Sequence, residues 1–194
     1  QFYQSQVEQE LTQSTSGEQT IAAPILVVPY QLVEGKTRTE QRLIVLPEQL
    51  NIDGQVQVSP LKRAIYTFQT FQSTTALTGH FSRAPLQALR AKKGVTLGTP
   101  FLAVGVSDAR GLGKSEPFTW AGKRYTFSAG TQLHALPNGM HAALPLSDWD
   151  IAGSAPLNFS IRLNVNGSSR ISYVPLGENT QVTLAGNWPH PKFA

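Results

Sequence analysis

The 194-residue chain combines 40% apolar with only 14% charged residues, a formal net charge of +4 and no cysteine. The lack of cysteine excludes disulfides, thiolate metal sites and a cysteine nucleophile. The length is enough for a sizeable core. The basic residues fall in short, separate groups, Lys62-Arg63, Arg90-Ala-Lys-Lys93 and Lys123-Arg124, which reads as solvated surface and argues against a nucleic-acid partner.

Residues 1–16 carry Tyr3, Val7 and Leu11 four apart, one narrow helical stripe that Gly17 stops. From Ile21 the pattern becomes extended. Ile21-Ala-Ala-Pro-Ile-Leu-Val-Val-Pro-Tyr30 is an apolar run with two prolines, which predicts an edge strand or one paired only in its middle. Glu34-Gly35-Lys36 predicts a turn, with Thr39–Leu46 as the returning arm. Asp53-Gly54, set between Ile52 and Val56, predicts a second hairpin. Arg63–Phe81 is a long β stretch in which a phase change near Ser73-Thr-Thr75 predicts a bulge. Ala84–Lys93 predicts one short helix, with Leu86 and Leu89 on its apolar side.

Phe101-Leu-Ala-Val-Gly-Val106 has the length and flanks of a buried strand. It runs into Ser107-Asp-Ala-Arg-Gly-Leu-Gly113, a charged corner whose glycines are expected at positive φ. A hairpin is predicted around Ala121-Gly122, with Trp120, Tyr125 and Phe127 as packing residues. Leu157, Phe159, Ile161, Leu163 and Val165 alternate with polar residues, the mark of a half-buried strand. Asn166-Gly167 is read as its turn and Arg170–Val174 as its return, with Gln181–Leu184 starting a final strand. The expected class is mainly β: an antiparallel β-sandwich-like domain over 17–194, a helix over 1–16 and at most one short internal helix.

The chemistry-bearing residues form no recognisable catalytic set. His80, His134, His141 and His190 lack metal-ligand spacing, so no metal, cofactor or catalytic residue is assigned. Gly111-Leu-Gly-Lys114 lacks the spacing of a phosphate loop. Asp108 and Arg110 have two readings, a structural corner or a ligand contact. Trp188 and His190, in Asn187-Trp-Pro-His-Pro191, likewise read as a packed tail or as a partner-facing surface. These four are the candidate binding residues. A glycan-binding alternative rests on Trp120, Trp149 and Trp188, with Asp148 and Asp150. A third reading places Arg90, Lys92 and Lys93 against an anionic surface.

Several segments together resemble the CreD family of bacterial inner-membrane proteins. They are Gln13-Ser-Thr-Ser-Gly17, Ala23-Pro-Ile-Leu-Val-Val-Pro29, Leu46-Pro-Glu48, Ile65-Tyr66, Leu97-Gly-Thr-Pro-Phe101, Ser107-Asp-Ala-Arg-Gly-Leu-Gly113 and Asn187-Trp-Pro-His-Pro191. The resemblance implies a membrane helix before Gln1, continued by the helix over 1–16, and a periplasmic β-rich domain running past Phe193. It implies further membrane helices near the C-terminus and a link to a two-component stress regulon and envelope integrity. The expected function is a non-enzymatic interaction module at the periplasmic face of the inner membrane. The expected partners are the membrane-embedded remainder of the same chain, another envelope protein or a cell-wall glycan.

Overall fold

In the computed structural model, which describes residues 18–63, 66–167 and 170–187, the first strand is also the longest. This is β1, Glu18–Glu34, buried without a break from Gln19 to Val28. The chain continues through β2 (Thr37–Val45), β3 (Gln49–Arg63), β4 (Tyr66–Phe81), the helix α1 (Ala84–Ala91) and β5 (Val95–Leu97). After β6 (Phe101–Val106) and a 3-10 turn at Ala109–Gly111 come β7 (Phe118–Trp120), β8 (Lys123–Tyr125), β9 (Ser128–Ala129) and β10 (Gly139–Ala143). The last strands are β11 (Leu157–Gly167), β12 (Arg170–Tyr173) and β13 (Asn179–Gly186).

The strands form two sheets. The first runs β12-β1-β6-β10-β9, with β2 and β5 also paired to β1; the second runs β13-β3-β4-β11-β7-β8. Their inner faces share one apolar cluster, with Ile21, Leu26, Leu102 and Val104 from the first sheet and Leu50, Ile52, Leu77, Ile161 and Leu163 from the second. One end is filled by aromatic rings. Phe81 lies 5.4 Å from both Trp120 and Phe159, and Trp149 stands edge-on to Trp120 at 5.6 Å. Leu86 of α1 is fully buried beneath its helix.

The mainly β class, the short helix, the buried β6 and the alternation of β11 follow the sequence reading. So does the tight hairpin at Ala121 (φ 47°) and Gly122 (φ 80°), the positive-φ pair that a two-residue loop requires. The helix expected over 1–16 lies outside the described residues.

Five local expectations are corrected. β1 is interior to its sheet, not an edge: β6 and β5 flank it on one side, β12 and β2 on the other. Its prolines fit because the β6 ladder shifts register between Ala22 and Ile25, at Pro24, and because Pro29 falls between the β6 and β5 pairings. Gly54 makes no turn. It lies within β3, paired to Thr75 and Leu184, and a Cβ there would sit 2.6 Å from Leu184 Cδ2. β4 has no bulge at Ser73-Thr75; its pairing to β3 is continuous, and its inner face simply carries two hydroxyls among Phe71, Leu77 and Phe81. Arg170–Tyr173 does not return along β11 but crosses to pair parallel with β1. Gly111 and Gly113 are absent from the positive-φ glycines; their role is close approach, described next.

Candidate functional site

The Ser107–Gly113 corner is built around a buried glutamine. Gln19, 2% exposed on β1, donates from Nε2 to the Asp108 carbonyl at 2.7 Å. Its Oε1 accepts from the Asp108 N–H and the Ser107 hydroxyl, each at 2.9 Å. Both ends of the amide are therefore satisfied, as a buried polar group requires. Gly113 N–H donates to Asn164 O at 2.7 Å, carrying the tie onward to β11. A Cβ on Gly111 would collide with the Gln19 amide and stand 2.6 Å from Asn166 O.

Asp108 caps the 3-10 turn by accepting from Arg110 N–H at 3.0 Å. The same carboxylate holds the Arg110 guanidinium through Nε at 3.0 Å and Nη2 at 2.7 Å. The Arg110 side-chain and backbone N–H groups hold the Asp108 carboxyl below its ordinary range, and the carboxylate raises Arg110 in return. The pair is solvent-facing, with side-chain exposures of 90% for Arg110 and 40% for Asp108. Among the described residues, Arg110 pairs with its own near neighbour Asp108. The corner reads as a fixed structural joint between β1, β6 and β11.

The other sequence candidates are dispersed. His80 lies 3.4 Å from Glu48, and His141 Nδ1 donates to Gly130 O at 2.6 Å. Trp120 and Trp149 are core residues, 0% and 8% exposed, so neither offers a face on which a sugar could stack. The glycan alternative loses both aromatics, although Asp148 is at the surface, 3.8 Å from Lys123. Arg90, Lys92 and Lys93 are exposed at the end of α1. Trp188 and His190 lie outside the described residues. Among the described residues, no group of three or more His, Asp or Glu side chains converges as a metal site.

One concavity was not anticipated. It is an open groove of about 970 Å³ on the first sheet, lined among others by Tyr30, Glu40, Arg42, Leu97, Leu133 and His134. The lining residues come from β1, β2, β5 and the loop before β10, so sequence spacing gives no sign of it. Its wall is held rigid from within. Thr131, 1% exposed, accepts from Leu133 N–H at 3.1 Å and donates to Leu136 O. Arg42 donates to Gln132 O at 2.6 Å and lies 5.7 Å from the centre of the Phe101 ring. Tyr30 donates to Gln41 Oε1 at 2.7 Å. The result is a partly apolar trough with polar groups fixed along its rim.

Two facing sheets with one core define a β-sandwich module, and among the described residues no helix is long and apolar enough to cross a membrane. The chain belongs to the CreD family: the family model described as Inner membrane protein CreD matches residues 1–194. It is 37% identical over 199 residues to Inner membrane protein CreD of Escherichia coli (strain K12). That alignment covers 98% of this chain and 43% of the relative, so the chain spans less than half the length of the curated protein it matches. No solved structure matches.

Proposed function

We propose that this chain is the periplasmic, non-enzymatic interaction module of a CreD-like inner-membrane protein, and that it serves envelope integrity and the stress response by holding a protein segment in the β1–β2–β5 groove. The groove is the observation that carries the reading. An open trough lined by both apolar and polar side chains suits an extended polypeptide better than an enclosed small molecule. The source of that segment is the membrane-embedded remainder of the protein or another envelope protein. The Asp108–Arg110 corner supports this role as a rigid frame at the other end of β1, some 11 residues or about 36 Å away.

The test uses the full-length protein in cells that lack their own copy. Tyr30→Ala with His134→Ala is expected to leave membrane abundance unchanged while abolishing rescue of the envelope-stress phenotype. A photo-crosslinker at position 134 is expected to capture a protein segment. Full rescue by the double variant would reject the groove as the working surface. Periplasmic placement is tested separately with Arg124→Cys, which an impermeant thiol reagent should label from the periplasmic side, since residues 1–194 hold no other cysteine.

A further inference from the structure

The second sheet ends in β13, and this edge differs from the others among the described residues. The outer edge of β2 carries Arg38, Glu40 and Arg42. β5, β8, β9 and β12 have three, three, two and four residues. Short or charged edges do not template a further strand. β13 is eight residues long, Asn179-Thr-Gln-Val-Thr-Leu-Ala-Gly186, with neither charge nor proline.

Its inner side is open as well. Parallel pairing places Val182 beside Ile52 and Leu184 beside Gly54, all facing the sandwich interior. Ile52 is 2% exposed, yet Val182 is 50% exposed. An inward apolar side chain half open to solvent, on a strand with an unshielded hydrogen-bonding edge, marks a sheet that lacks its last member.

We infer that the polypeptide continuing from Asn187 supplies this member, returning antiparallel along β13 and closing over Val182. Asn187 still follows the β3 ladder: its N–H donates to Val56 O at 3.4 Å and its Oδ1 accepts from Val58 N–H at 2.7 Å, so the chain leaves the described fold directly from the end of β13, beside the vacant edge. In Trp188-Pro-His-Pro191 the two prolines lack the N–H that a regular ladder needs. Consecutive strands are usually neighbours, so the nearest vacant edge is the expected destination. The opposite terminus of the described fold, Glu18, opens β1 inside the other sheet. The matched region is 43% of the relative's length, so that relative has further polypeptide outside it. This inference is independent of the groove.

The experiment uses the full-length protein with any cysteines outside residues 1–194 replaced. Val182→Cys is paired in turn with single cysteines placed along the first ~20 residues after Ala194, roughly two strands and a turn. Oxidation is expected to give a disulfide within one molecule, at alternate positions, and insensitive to dilution. Amide exchange on the unsubstituted full-length protein is expected to slow at consecutive residues from Gln181 to Ala185, on the order of 100-fold relative to a free edge. A cross-link only between molecules would assign the edge to a second copy and overturn the inference. Freely exchanging alternate amides, or no cross-link at any position, would overturn it as well.

Discussion

The Tyr173 hydroxyl on β12 crosses the sandwich to hydrogen-bond Thr75 on β4, so two sheets that share no backbone pairing among the described residues are joined by side chains. Ser73 completes the cluster, 3.0 Å from Thr75 and 3.4 Å from Tyr173. Tyr173→Phe is expected to cost about 1 kcal/mol, the low end for a lost buried hydrogen bond because Ser73 and Thr75 keep each other. Burial raises the Tyr173 phenol against the opposing effect of its two hydrogen bonds. The neutral form is therefore favoured in the fold. Its contribution is complete below the unfolded value of about 10 and is lost as pH rises through the higher folded value. Denaturant unfolding between about pH 9 and pH 11 should show a shallower fall in stability for Tyr173→Phe than for the parent. Tyr125, raised by burial and by Asp148, adds a slope of the same sign in both proteins. Identical slopes would remove Tyr173 from the account.

Gly111→Ala should cost about 2–3 kcal/mol, because its new methyl meets the Gln19 amide and a backbone carbonyl that cannot both retreat. Gly122→Ala, at φ +80° with open space around it, should cost about 1 kcal/mol through backbone conformation alone. Equilibrium unfolding of the two variants side by side measures the difference. If Gly111→Ala proves the milder of the two, the close packing at this corner is not what selects glycine there.

Trp120 and Trp149 share the aromatic cluster but differ in one atom's surroundings. Trp149 Nε1 donates to Leu144 O at 3.1 Å, whereas Trp120 Nε1 is buried with no partner among the described residues. Replacing Trp120 by Phe removes an unsatisfied donor, which offsets part of the lost packing. Trp149→Phe should therefore be the more destabilising, by about 1 kcal/mol. The reverse order in a thermal melt would show that ring volume outweighs the polar atom.

At the exposed corner, Asp108→Asn keeps an oxygen for the cap and should cost under about 0.5 kcal/mol, while Asp108→Ala should cost about 1 kcal/mol. The Asp108 carboxyl is depressed by its hydrogen bonds to Arg110. Its contribution is thus present above the ordinary carboxylate value of about 4 and declines as pH falls through the lower folded value. Acid unfolding followed by circular dichroism should show a small midpoint shift for Asp108→Asn. A large shift would mean that the charge is coupled to more than Arg110.

What the sequence made legible is what depends on neighbours along the chain. The alternation of Leu157–Val165 follows from the two-residue period of a strand, and Ala121-Gly122 from the dihedral needs of a tight loop. The failures involve partners distant in sequence. Gly54 resembles a turn residue until Leu184, 130 positions later, takes the space where a side chain would be. Ser73 and Thr75 look like a break in the apolar face because their acceptor and donor, Tyr173, arrives from the opposite sheet. Pro24 and Pro29 suggested an edge because their tolerance depends on where β6 and β5 begin and end. Ser107–Gly113 was legible as a charged, glycine-bearing corner from its residue types; Gln19, which anchors it, was hidden in a polar prefix to an apolar run.

The parallel ladder from Glu18 to Ile21 against Arg170 to Tyr173 has a temporal consequence. The opening residues of β1 are made first, but their partner is synthesised some 150 residues later. Until then the first sheet lacks one flank and its Gln19–Val28 segment has apolar surface awaiting cover. A ribosome that stalls before Arg170 would release a chain with that segment unmatched, a ready target for proteases and for pairing with the wrong strand. Assembly of this module is therefore sensitive to interruption almost until its last strands emerge.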